Sequence, residues 1–206
     1  MEHLTKAVHA EQLEILGLLH EDAETIVLLG PREPDFWGHV SASREFADGR
    51  PDPLDRWSKR ALKPIAETFA GIAVFPSDGP PYPPFISWAL ASNRAWVSPV
   101  GMLVHDLAGL FVSYRAALHL PVLLPIPPSG RSPCTDCAQP CRTACPVDAL
   151  RQDAYDVPLC KTHIGRIDSA DCGAQGCAAR RACPVSKAYG RKPAQSAFHM
   201  RAFLGE

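Results

Sequence analysis

Apolar residues recur along the first 120 positions of this chain at two different periods, and the switch between them outlines a fold. Leu13, Leu16 and Leu19 sit at helical spacing within Glu11–His20, which predicts a helix, and the β-rich run Thr25–Leu29 predicts a strand after it. Asp52-Pro53 reads as a helix start, with a carboxylate at the cap and proline at the first helical position. Leu54, Trp57, Ala61, Ile65 and Phe69 then line one face, and Pro64 is expected to kink it. Gly71–Phe75 predicts a short buried strand and Pro83–Ser92 another helix. From Leu110 to Leu120, Val112, Tyr114, Ala116 and Leu118 alternate with Phe111, Ser113, Arg115, Ala117 and His119, which is the period of a strand. Helices interleaved with a few strands predict an α+β or α/β domain.

The pattern stops at Pro121–Pro133, where five prolines in thirteen residues exclude a helix or a central strand. This break predicts a domain over residues 1–125 and a second over 126–206, the latter closing on a C-terminal helix. At 206 residues and 46% hydrophobic the chain can bury a sizeable core. Its longest apolar stretches, such as Thr25–Gly30, are too short to cross a bilayer, so no membrane role is expected. Residues 1–6 lack the apolar core of a secretion signal, and the expected compartment is the cytoplasm.

Charge is unevenly placed. Residues 1–130 hold 10 Lys/Arg against 15 Asp/Glu, and residues 131–206 hold 11 against 7, although the chain as a whole is only −1. No basic run exceeds two residues and no aromatic series accompanies them, which argues against a nucleic-acid surface. The basic excess instead suits compensation of an anionic group, or a small patch for an acidic redox partner protein. No sequence feature fixes an oligomeric state.

What that anionic group would be follows from the cysteines. All eight lie between Cys134 and Cys183, in two runs that each end in Cys-Pro. The first is Cys134-Thr-Asp-Cys137-Ala-Gln-Pro-Cys141-Arg-Thr-Ala-Cys145-Pro146; the second is Cys160, Cys172, Cys177 and Cys183-Pro184, with gaps of eleven, four and five residues. Four thiolates are the demand of one [4Fe–4S] cube, so eight supply two. Short gaps let a loop turn around a compact anionic cluster with its amides pointing inward, and proline after the last ligand turns the chain away. In two-cluster ferredoxins the fourth cysteine of such a run binds the other cube. By that rule Cys134, Cys137, Cys141 and Cys183 form one ligand set, and Cys145, Cys160, Cys172 and Cys177 the other. A structural zinc site, the main rival, usually shows two separated Cys-x2-Cys knuckles instead of three or four ligands in one twelve-residue loop. Disulfides would need an oxidising compartment.

The segment Asn93-Arg-Ala-Trp96-Val97-Ser-Pro-Val-Gly-Met-Leu103-Val104-His105, with Gly109 and Phe111 after it, resembles a stretch of the epoxyqueuosine reductases. His105–Pro121 is also similar to the cobalamin-processing chaperones. Cys-Pro-Val-Asp-Ala-Leu150 and Leu159-Cys160 resemble the ferredoxin module that epoxyqueuosine reductases and reductive dehalogenases carry. The resemblance covers roughly residues 70–185. It implies an open-faced domain of the flavin-reductase and nitroreductase kind, a two-cluster ferredoxin-like module, and a corrinoid (cobalamin) or flavin held in the first domain. It further implies Asp78 as a general acid and His105 as a cofactor contact. The family's Gly-Lys-Asn is Ser98-Pro99-Val100 here, which removes a cationic element from that pocket.

The bland readings are that His105 is a hydrogen-bonded structural histidine and Asp78 a turn residue. Tyr82, Trp88 and Trp96 are read as core or pocket-wall aromatics, and His163 and His199 as neighbours of the cysteines outside the ligand sets. Together these readings lead to an electron-transfer protein that relays single electrons through two [4Fe–4S] clusters. Its alternatives are a corrinoid- or flavin-dependent reductase of a small substrate or modified nucleoside, and a zinc-stapled interaction module.

Overall fold

A computed structural model describes residues 1–166 and 170–205. In chain order its elements are α1 (Glu2–Ala10), β1 (Leu13–Glu21), β2 (Glu24–Pro31), α2 (Phe36–Ser41), α3 (Arg44–Ala47), α4 (Pro53–Thr68), β3 (Ile72–Val74), α5 (Phe85–Ala91), β4 (Ala95–Val97), β5 (Leu103–His105), β6 (Ala116–Leu120), a 3-10 turn (Pro140–Arg142), α6 (Val157–Ile164), α7 (Ala170–Gln175), α8 (Ala178–Ala182), α9 (Pro184–Tyr189) and α10 (Pro193–Leu204). Every strand pairing is antiparallel, so the fold is a mixed α+β one with small antiparallel sheets. Among the described residues, no helix is long and apolar enough to cross a membrane.

The chain divides into two compact units: residues 1–94 with 113–130, and residues 95–112 with 131–206. Of the three borders the last, at 130/131, falls in the proline-rich stretch. The other two do not coincide with any break in composition, because residues 95–112 leave the first unit and pack with the cysteine-rich segment through contacts remote in sequence.

The first unit is built on a sheet of order β1-β2-β6-β3. Leu13–Glu21 forms a strand where the leucine spacing predicts a helix. A bulge between Ile15 and Gly17 is the reason: it shifts the register against β2, so the buried Leu13 and Leu16 fall three apart on an extended chain. The helix α4 forms as expected, with Leu54, Trp57, Ala61, Leu62 and Ala66 buried, and it continues through Pro64 to Thr68. Asp52, the expected cap, adopts a left-handed conformation (φ 52°) and makes no side-chain capping bond. The predicted strand over Leu110–Leu120 is confined to Ala116–Leu120, because Leu110–Val112 belongs to the second unit. A part-buried ion pair joins α3 to α4: Arg60 Nε donates to Glu45 Oε1 at 2.5 Å and Nη2 to Oε2 at 3.1 Å.

In the second unit β4 and β5 form a hairpin, and the helices α6 to α10 carry or flank the later cysteines. Its core gathers Val100, Val104 and Leu110 with Cys141, Leu150, Ala179 and Cys183, against which Trp96 packs.

Candidate metal centres in the second unit

Each cysteine is positioned by a local device. Cys134 and Cys137 lie on a turn, Cys141 on the 3-10 turn that Pro140 opens, and Cys145 just after it. Cys160 sits in α6, whose start is fixed by Asp156 accepting the Leu159 amide at 2.9 Å. Cys172 is carried by α7 and Cys177 caps α8. Cys183 stands between α8 and α9, with Pro184 at the first helical position of α9.

These devices gather the sulfurs in two places. Cys134, Cys137, Cys141 and Cys183 line one cavity of about 310 Å³, together with Ser98, Val104, Leu110 and Asp136. Cys145, Cys160, Cys172 and Cys177 line another, about 20 Å³, with His163, Ile164 and Met200 in its wall. Cys145 therefore leaves its own run, and Cys183 leaves the other. Among the described residues, no group of three or more His, Cys, Asp or Glu side chains closes on a position that a single metal ion could take.

The electrostatics follow the same division. Burial pushes the thiol pKa of Cys141 up, and the charges of Cys134, Cys183 and Cys137 push it further. Burial likewise raises Cys160, opposed by a hydrogen bond from Tyr155 and reinforced by Cys177, Cys145 and Cys172. Cys134 and Cys172 are raised by burial as well. Thiols clustered this way resist ionisation until a cation or a donor offsets their mutual repulsion. Donors are present. The amides of Gln139 and Ala149 each donate to a sulfur at 3.3 Å, to Cys137 and Cys145 respectively, and Ser132 hydrogen-bonds Cys134.

Comparison with known proteins brings no match: no protein family, no curated protein and no solved structure corresponds to this chain.

The two candidate residues outside the cysteines, Asp78 and His105, lie in different units. Asp78 accepts Lys59 Nζ at 2.8 Å and the Phe75 amide at 3.0 Å. Burial works to raise its pKa, but these two bonds outweigh burial and hold it below the usual carboxylate range. An acid held ionised by a lysine is unsuited to giving up a proton near neutral pH. His105 is fully buried in β5, and its Nδ1 meets the amides of Leu107 at 3.0 Å and Ala108 at 3.3 Å, with Asp106 Oδ1 at 3.1 Å. It pins the turn after β5, in the second unit and not in the domain where the resemblance places a cofactor. Trp88 is a core residue of the first unit, whereas Tyr82 is 68% exposed. His199 packs edge-on against Phe198.

Two side chains that hydrogen-bond sulfurs carry no motif of their own: Ser132 and Tyr155. Each lies within five residues of its cysteine, and that short offset is the one signal that could have pointed to them.

Proposed function

We propose that this protein is a single-electron carrier that holds two [4Fe–4S] clusters in its second unit. The observation that carries the reading is the gathering of eight cysteines into two sets of four, with Cys145 and Cys183 exchanged between the runs. When bound, each cube would take up and release one electron with the charge change spread over four irons. Cys134, Cys137, Cys141 and Cys183 would hold the first, and Cys145, Cys160, Cys172 and Cys177 the second.

The donor chemistry supports this assignment at both sites. Each set has four sulfurs, at least one inward amide and one hydroxyl donor, which is the hydrogen-bonding dress of a cluster thiolate. The first cavity has room for a multi-atom group. The second has space for about one water, so a cube enters it only as its sulfurs draw apart.

The first unit is read as a reductase-like domain on the resemblance of residues 93–121 alone. The ionised Asp78 and the occupied His105 favour a carrier over a reductase, since neither is free to serve a substrate. A corrinoid or flavin there remains part of the alternative reading. Protein prepared without oxygen is expected to contain about eight iron and about eight acid-labile sulfide per chain. Two zinc with no sulfide would sink the proposal.

A further inference from the structure

Charge is sorted within the second unit. Asp148, Asp153 and Asp156 lie between Cys145 and Cys160, and Asp171 stands beside Cys172, so carboxylates accompany the second cysteine set. The stretch from Cys172 to Gly205, which supplies Cys183 to the first set, holds six Lys/Arg and no Asp or Glu. Three of the six are occupied inside the unit: Arg180 donates to the Leu110 carbonyl at 2.8 Å, Arg191 to the Phe111 carbonyl at 3.0 Å, and Arg181 pairs with Asp171. Lys187 is exposed instead. It lies on α9 one turn after Cys183, its amide donating to the Cys183 carbonyl at 3.0 Å. Arg142, next to Cys141 on the 3-10 turn, is exposed as well, and α8 packs against both that turn and α9. Among the described residues neither Arg142 nor Lys187 forms an ion pair.

Asp136 is the one carboxylate in the wall of the first cavity among the described residues, and Arg131 faces it at 3.6 Å, with both side chains largely in solvent. Between the cations the surface is apolar: Ala138, Pro140 and Pro184 line that cavity and are exposed. An uncharged centre rimmed by charge is the anatomy of a protein interface. A nucleic-acid surface is less well served, since residues 131–145 and 183–192 carry a single aromatic ring, Tyr189, and it is buried, leaving none on which a base could stack.

We infer that this face docks an acidic one-electron carrier protein at the Cys134/Cys137/Cys141/Cys183 site. Arg142 and Lys187, on the elements that carry Cys141 and Cys183, draw the carrier in, and Arg131 offsets the one carboxylate that would repel it. The apolar centre then seats the carrier over the cavity mouth. One electron passes between the carrier and the first site, so that one partner is oxidised by one electron and the other reduced by one, with no bond made or broken. The inference rests on the proposed cluster reading.

The test is stopped-flow electron transfer between the iron-loaded full chain and a plant-type [2Fe–2S] ferredoxin of net negative charge, mixed without oxygen in whichever direction their measured potentials make downhill. The second-order rate constant should fall about tenfold or more between about 10 mM and 1 M salt, as the screening length shrinks from about 30 Å to about 3 Å. At the low salt, Arg142→Glu and Lys187→Glu should each lower it by about three- to tenfold, and Arg142→Gln and Lys187→Gln, which disturb the fold less, by a smaller factor. Arg201→Glu makes the same change of net charge beside Met200 of the second cavity, and should change the rate by less than about twofold. At the high salt all variants should match wild type. Iron and sulfide are assayed on every sample, and rates are taken per loaded chain. A rate that is flat or rises with salt, or that the substitutions at Arg142 and Lys187 leave unchanged in fully loaded protein, refutes the inference alone. Wild-type protein without sulfide refutes the cluster reading and the inference together. A poly(U) oligonucleotide that binds the chain more tightly than the ferredoxin does, and loses that binding in Lys187→Glu, makes the face a nucleic-acid surface and also overturns the inference.

Discussion

The exchange of Cys145 and Cys183 can be tested by counting iron in double variants. If each cysteine set holds its own cube, any substitution within a set removes that cube, and a second substitution in the same set removes nothing more. Cys145→Ala should therefore lower iron from about eight to about four per chain, and Cys145→Ala combined with Cys177→Ala should stay near four. Cys141→Ala combined with Cys183→Ala should also stay near four. Had each run kept its own cube, both pairs would span the two cubes and iron would fall toward zero. The two hypotheses thus differ by about four iron per chain in the same sample, well beyond assay error. Alanine is preferred to serine because a serine oxygen can stand in as a weak ligand. Paramagnetic resonance of the reduced variants gives an independent check. The signal that survives in Cys145→Ala/Cys177→Ala should be the one missing from Cys141→Ala/Cys183→Ala. Iron near zero in either double variant refutes the crossed sets.

Two further outcomes concern the scaffold. Glu45, almost fully buried against Arg60, has its pKa lowered from 4.5 to about 2, chiefly by that hydrogen bond. A depressed carboxylate stabilises the fold above its unfolded value and loses that contribution as pH falls through its folded one. Glu45→Gln should then cost on the order of 1 kcal/mol at pH 7, the half-exposed Arg60 being screened by solvent, and urea midpoints of wild type and variant should converge between about pH 4.5 and 2. Gly109 has φ +56°, and a Cβ there would lie 2.4 Å from the Ser186 nitrogen. Gly109→Ala should destabilise the second unit by about 2 kcal/mol or more, seen as a lower thermal midpoint and a reduced iron content.

The grouping of the cysteines around two cavities could be read from the sequence because their gap lengths and the recurring Cys-Pro follow a two-run pattern. In the first unit β2, α4, β3 and α5 were legible from periodicity and cap residues, α1, α2 and α3 carried no such signal, and β1 was read as a helix. There the bulge between Ile15 and Gly17 produced a spacing of three on an extended chain, which a periodicity argument cannot tell from a helical turn. Residues 95–112 were misplaced because their composition matches what precedes them, and only contacts remote in sequence attach them to the cysteines. Ser132 and Tyr155 were missed because no motif marks them, although each lies within five residues of the cysteine it bonds.

Leu110 shows why the second unit has to include residues from outside the cysteine segment. Its side chain is buried and lines the first cavity. Its amide donates to Ser186 Oγ at 2.8 Å, on the helix that begins directly after Cys183. Its carbonyl accepts Arg180 Nη1 at 2.8 Å, from α8, the helix that follows Cys177. One residue thus ties the wall of the first cavity to the helix that begins after Cys177. Gly109 is required beside it because the backbone must pass within contact of Ser186 in a left-handed conformation, which a side chain would obstruct. His105 fixes the turn that delivers both, by receiving the amides of Leu107 and Ala108. On this view the His105–Gly109 stretch, which the resemblance treats as part of a cofactor pocket, works in this chain as the clasp that holds the two cysteine sets in one body. The buried histidine and its glycine are then accounted for by structure.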